Sequence, residues 1–197
     1  QHSHTDIGYT RPQSEILAEQ MRYIDYALDY CDKTDSFPDA SRFRWTCESA
    51  CVTREYLRSR PPSQIKRFIQ RINEGRIEVT AMLFNMAEIA DENIMYDYLQ
   101  PLKEFRDYEI PVSTAMQNDV NGVAWCMPDY FKSTGVKYLN MGINETRSIR
   151  PFDKPTYFWW ESPAGERLLA FRSDHYMTGN FFGLPSTEKF DHLKLLD

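Results

Sequence analysis

The chain has 197 residues, 42% of them hydrophobic and 26% charged, which suits one globular domain with a sizeable core and leaves two domains cramped. A formal net charge of −6 with scattered basic residues carries no electrostatic footprint for nucleic acid or for an anionic membrane. No apolar run approaches the roughly 20 residues that span a bilayer, and Gln1 opens without the basic and apolar segments of a secretory leader, so the reading is a soluble protein, secreted or periplasmic if a leader has been removed.

The chain starts "QHSHTDIGYT". His2, His4 and Asp6 stand at alternate positions and fall on one side of an extended strand, a spacing that can chelate a metal and that a tagged terminus also shows. Leu17, Met21, Ile24, Leu28 and Cys31 then repeat at steps of four and three, which predicts an amphipathic helix over residues 14–31. "RFRWTCES" reads as a strand. The most basic stretch, Arg54 to Arg71, is interrupted by prolines and reads as a solvated helical face, with Ser63 as the cap of a helix whose Ile65, Phe68, Ile69 and Ile72 share one side and which Gly75 closes. "RIEVTAMLF" is the next strand, with Ile77, Val79, Ala81 and Leu83 alternating. Asp91 starts a helix that carries Tyr98, Leu99, Leu102 and Phe105 on one face, and "PVSTAMQND" is the strand after it. Pro128 opens a short helix that ends at Gly135, "VKYLNMG" follows as a strand, and "FWWESPAGERLLAFR" is a hairpin about residues 163–165.

Strand and helix alternate repeatedly, the signature of an α/β architecture with a parallel sheet, here one domain over residues 1–197. The 12 Phe, 12 Tyr and 4 Trp fill cores for the most part, and Tyr and Trp also line wet clefts that bind sugars. Cys31, Cys47, Cys51 and Cys126 lack the paired spacing of a structural zinc site and read as separate buried thiols, with a Cys47–Cys51 bridge left open by their spacing.

In such folds every βα loop emerges at the carboxyl ends of the strands, so polar residues just beyond each strand are the candidates for chemistry. They are His4 and Asp6; Glu48; Glu88, Asp91 and Glu92; Asn118 and Asp119; Asn144 and Glu145; and Asp174 and His175. Asp91 reads as a helix cap, and Glu88 and Glu145 as loop residues. Asp119 is different, because the "VNGVAW" after it is no amphipathic helix start. Imidazole and carboxylates together suit zinc better than calcium, so His4, Asp6 and Asp119 form the candidate metal site, with His2 outside the ligand set.

These stretches resemble glycoside hydrolase family 38, the retaining α-mannosidases. "HSHTDIGY" is similar to that family's His-Ser-His-Asn-Asp-Pro-Gly-Trp opening, "FRWTCES" to its second strand, and "INEGRIEVTAMLFNMAEIADEN" to its Asn-Gly, strand and Asp-Glu stretch. "AMQNDVNG" stands where the family has its nucleophile segment, Asp-Pro-Phe-Gly-His, and "MPDYFKSTGVKYLNMG" resembles the helix, glycine and strand that follow. The resemblance implies a (β/α)7-type barrel, here an incomplete one of about five to six strands forming the N-terminal part of the catalytic domain. It implies Zn2+ held by His4, Asp6 and Asp119, with Asp119 also the catalytic nucleophile, and Tyr9 and Tyr176 as substrate-binding aromatics on a mannoside. The sequence departs from the family where Val120 and Asn121 replace Pro-Phe and where Gly-Val-Ala replaces Gly-His-Ser. The family's last zinc-binding histidine has no counterpart, with His175 a poor substitute, and its acid/base aspartate is expected beyond Asp197.

Two other readings compete with the glycosidase. A His-x-His pair on a first strand also opens metal-dependent amidohydrolases, and polysaccharide deacetylases are metal-using barrels too, in which a metal-bound water attacks an amide or ester. A catalytically inactive carbohydrate-binding domain is the third.

Overall fold

A computed structural model describes residues 1–85, 91–147, 149, 153–181 and 183. Residues 1–6 form no regular element, so the strand expected at His2, His4 and Asp6 is not observed, and the Gln1 carbonyl accepts a 2.7 Å hydrogen bond from the Thr46 amide of the first strand. Helix α1 (Gln13–Lys33) buries Ile24, Leu28 and Cys31 of the expected stripe. Strand β1 (Trp45–Cys47) leads into α2 (Ala50–Ser59), and α3 (Pro62–Asn73) into β2 (Ile77–Val79), which pairs parallel with β1.

Two expectations in this region are corrected. Ser63 is not the cap of α3: Pro61 occupies that position and Pro62 begins the helix, where a residue without an N–H loses nothing. Nor is the basic stretch simply a solvated face. Arg60 reaches Asp25 at 2.6 Å, Arg67 reaches Asp29 at 2.8 Å, and Arg71, only 8% exposed, pairs with Asp32 and Asp35 at 2.5 Å. The acidic side of α1 therefore docks α3 through a ladder of ion pairs. Gly75 does stop α3, in the left-handed conformation at φ 69°.

Strand β2 is shorter than its alternation suggests. Met82 turns left-handed at φ 41°, and the carbonyls of Met82 and Leu83 then accept from the Ala50 and Cys51 amides at the start of α2, which helical geometry leaves without partners. The predicted helix from Asp91 divides into α4 (Glu92–Tyr98) and α5 (Pro101–Asp107), because Pro101 cannot continue the first helix. Its four apolar residues, Tyr98, Leu99, Leu102 and Phe105, are all buried.

The second sheet contains β3 (Thr114–Asn118), β4 (Tyr138–Gly142), β5 (Thr156–Glu161) and β6 (Arg167–Arg172) in the order β3-β4-β6-β5. Strands β3, β4 and β6 are parallel, while β5 returns antiparallel to β6 through the expected hairpin, with Gly165 at φ 89°. Helix α6 (Met127–Thr134) crosses from β3 to β4, and a short α7 (Thr178–Phe181) is the last element among the described residues. A hydrogen bond from the Ala81 amide to the Thr114 carbonyl, 2.8 Å, links the sheets.

The fold is therefore mixed α/β, but the barrel is not observed: among the described residues the strands form two small sheets and do not close. Leu28, Tyr56, Phe68, Phe105, Phe131 and Leu139 belong to the core beneath them. Each contributes roughly 1.5–3 kcal/mol by leaving water. The four cysteines are free thiols, and burial pushes Cys47 up to about 12. No helix of the described residues is long and apolar enough to cross a membrane.

Candidate metal centre

Parallel strands send their carboxyl ends to one side of a sheet, and the opening segment is bonded to β1 through Gln1 and Thr46. His4, Asp6 and Asp119 meet there. His4 Nε2 lies 3.6 Å from Asp6 Oδ1 and 3.8 Å from Asp119 Oδ2, and one ligand atom from each residue fits within 4.8 Å of the others. Ligands about 2.1 Å from a tetrahedral ion stand about 3.4 Å from one another, so small side-chain rotations would bring these atoms onto one cation.

The His4 ring is oriented from behind. Its Nδ1 is 2.8 Å from Oε1 of Glu48, a residue 3% exposed. An ionised carboxylate only accepts, so Nδ1 carries the proton, and in the neutral ring Nε2 is left as a lone pair facing two carboxylates. That Nε2 is buried and lacks a hydrogen-bond partner. A buried imidazole nitrogen aimed at two acidic oxygens, with its other nitrogen on a carboxylate, could hold a metal ion, and donors of these types fit zinc.

Electrostatics agree with the geometry. Burial by itself would raise the Glu48 carboxyl, but its contacts with His2 and His4 outweigh that and lower it to about 2. His2 Nδ1 stands 2.8 Å from Glu48 Oε2, on the other carboxylate oxygen from His4. For His4, burial works downward, and the hydrogen bond to Glu48 with the charges of Glu48, Asp6 and Asp119 raises it above the usual histidine value.

Asp119 follows β3 in the left-handed region at φ 63°, which aspartate tolerates better than most residues. Its amide donates to the Gly142 carbonyl at 2.8 Å and its Oδ1 accepts from Asn144 Nδ2 at 2.6 Å. The ring of Tyr176 lies 4.5 Å from that of His4, and burial followed by the nearby Asp119 charge pushes its hydroxyl up. Tyr9 stands apart, 79% exposed beyond the left-handed turn at Gly8.

The remaining strand-end residues have other work. Asp91 caps α4 by accepting from the Ile94 amide at 3.0 Å, and Glu92 is exposed in the same turn. His175 Nδ1 accepts from the Met177 amide at 3.0 Å and its ring stacks on Tyr176, outside the candidate cluster of His4, Asp6 and Asp119. Asp174 is 3.9 Å from Arg172, Glu145 is exposed, and Glu88 lies outside the described residues. Asn118 is buried, and its backbone N–H donates to Asn85 Oδ1 at 3.1 Å. Asn85 was not legible as a site residue, because it lies six positions past the end of β2 in an irregular loop.

A cleft of about 720 Å³ adjoins the cluster, lined by His2, His4 and Tyr176 together with Tyr23, Tyr26, Tyr30, Phe43 and Trp45. Aromatic faces with a few polar groups at one end suit a ring bearing hydroxyls.

Residues 1–194 match the model of the glycosyl hydrolases family 38 N-terminal domain. Among solved structures, the chain is similar to an alpha-mannosidase from Enterococcus faecalis V583, at 16% identity and TM-score 0.68 over 87% of this chain and 19% of that one. A glycosyl hydrolase family 38 protein from Enterococcus faecalis shares 13% identity at TM-score 0.66, covering 99% of this chain and 20% of that one. The 4-alpha-glucanotransferase of Thermococcus litoralis is similar in fold, with 10% identity and TM-score 0.62 over 99% of this chain and 30% of that one. The chain thus spans about a fifth of the length of the first two structures. No curated protein matches its sequence.

Proposed function

The chain belongs to the glycosyl hydrolases family 38, and from that membership we propose that it supplies the metal-binding and nucleophile-bearing part of a zinc-dependent retaining α-mannosidase. The observation that carries the reading is the buried, unpartnered Nε2 of His4 facing Asp6 and Asp119. His4, Asp6 and Asp119 would hold the ion. Zinc, when bound, supplies a Lewis-acidic grip on vicinal sugar hydroxyls.

Asp119 carries the covalent chemistry. One of its carboxylate oxygens attacks the anomeric carbon as the bond to the leaving oxygen breaks, and that oxygen takes a proton from an acid carboxyl assigned to no residue of this chain. Water then attacks the anomeric carbon of the glycosyl ester, giving up a proton to the same carboxyl and releasing Asp119. Two inversions leave the configuration retained. Asn144 steadies one Asp119 oxygen, and Tyr176 covers the His4 ring beside the cleft. The aromatic wall gives the sugar a surface to stack on, and holding the ring in place supplies part of the rate enhancement.

The test is metal content of the purified full chain, followed by hydrolysis of an aryl α-mannoside with and without chelator and NMR of the first-formed anomer. The expected result is zinc, chelator-sensitive hydrolysis and retention. Metal without glycosidase activity would favour an amidohydrolase or deacetylase, and neither would favour a binding domain.

A further inference from the structure

Glu48 is the one acid among the buried polar residues described, at 3% exposure, and no lysine or arginine is among the partners that the structure gives it. Isolating a carboxylate from water is costly unless hydrogen bonds and opposite charge compensate, so its surroundings point to a purpose. Those surroundings are His4 Nδ1 and His2 Nδ1, each at 2.8 Å, and the Nδ2 of Asn85, which donates to the same Oε1 that faces His4. Asn85 turns its own Oδ1 to the Asn118 amide at 3.1 Å, one residue before Asp119. The carboxylate therefore sits between the two chain segments that deliver the ligands.

We propose that Glu48 is a positioning residue of the metal centre: it holds the His4 ring with Nδ1–H toward itself so that Nε2 presents a lone pair to the ion, and through Asn85 it ties that ring to the start of the Asp119 turn. The inference rests on the metal site proposed above. A carboxylate behind a ligating imidazole fixes its tautomer and raises its basicity, and losing one costs about 10- to 100-fold in metal affinity. A purely structural Glu48 would affect folding and leave the metal alone.

The experiment measures zinc affinity of the full chain by chelator competition, and the visible absorption of its cobalt(II) form, for wild type, Glu48→Gln, Asn85→Ala and the remote core variant Phe68→Ala. The expected result is about a 10- to 100-fold weaker affinity in Glu48→Gln, a smaller loss in Asn85→Ala, altered cobalt bands in both, and wild-type affinity in folded Phe68→Ala. Should Glu48→Gln fail to fold, Asn85→Ala decides, since it cuts the same connection from the far side. Wild-type affinity and cobalt spectrum in the folded variants overturn the proposal. A wild-type chain that binds no zinc instead overturns the metal site on which it rests.

Discussion

His4 Nε2 and Asp119 Oδ2 face each other across 3.8 Å, one from the opening segment and the other from the turn after β3. No hydrogen bond joins them, and Asp6 completes the triangle. Asp119→Asn preserves size and tolerance of the left-handed backbone, so the fold should survive. If Asp119 is the nucleophile, as proposed, its loss should lower aryl α-mannoside hydrolysis on the order of a thousandfold or more. Asp6→Ala should weaken zinc binding alongside activity, read by metal analysis after dialysis.

Asn144 donates to Asp119 Oδ1 at 2.6 Å, while its backbone is anchored separately by Asn121. Asn144→Ala should free one Asp119 carboxylate oxygen to rotate, and it also removes the Oδ1 that accepts from the Thr146 amide and hydroxyl at 3.0 and 2.5 Å, while the Asn121 bonds to its backbone remain. A fall in kcat of about tenfold is expected, with a modest drop in Tm from the two lost Thr146 contacts.

Gly142 ends β4 where a Cβ would stand 2.6 Å from Asn118 Oδ1 and 2.8 Å from Tyr176 Cβ. Its carbonyl also receives the Asp119 amide. Gly142→Ala should displace Tyr176 from the His4 ring and reduce hydrolysis far more than Tm, and a crystal structure of the variant would show the shift directly.

Asp25 accepts from Tyr56, Gln64 and Arg60. Burial alone would raise its carboxyl, but these donors, Arg60 foremost, lower it below the ordinary 3.8. A depressed folded value means that the unfolded chain binds its proton first as pH falls. The stabilisation is then fully present above about pH 4 and disappears as pH drops through the folded value. Urea midpoints should decline less steeply below pH 4 in Asp25→Asn than in wild type, with the variant less stable at pH 7.

Phe68 is fully buried, with its ring 5.1 Å from that of Tyr56. Phe68→Ala should cost about 3–5 kcal/mol by leaving a cavity in a close-packed core, measured by chemical denaturation.

Helix α1, the Gly135 stop at φ 88° and the hairpin at Gly165 are legible because apolar period and glycine punctuation are local properties. Boundaries that depend on a distant partner are not. The early end of β2 reflects carbonyls drawn to the start of α2, and the cap of α3 went to a proline rather than to Ser63. The basic stretch looks solvated until the acidic side of α1 is laid against it.

The same division holds at the site. The order of residues along the chain determined the α/β alternation and the polar character of each strand end, because side-chain period and turn chemistry act over a few neighbours. Only the tertiary structure decided that Glu48 lies behind His4, that Asn85 connects it to the Asp119 turn, and that His175 turns to its own helix. Those outcomes depend on which strands become neighbours and how deeply each polar group is withdrawn from water, and both are properties of the packed chain.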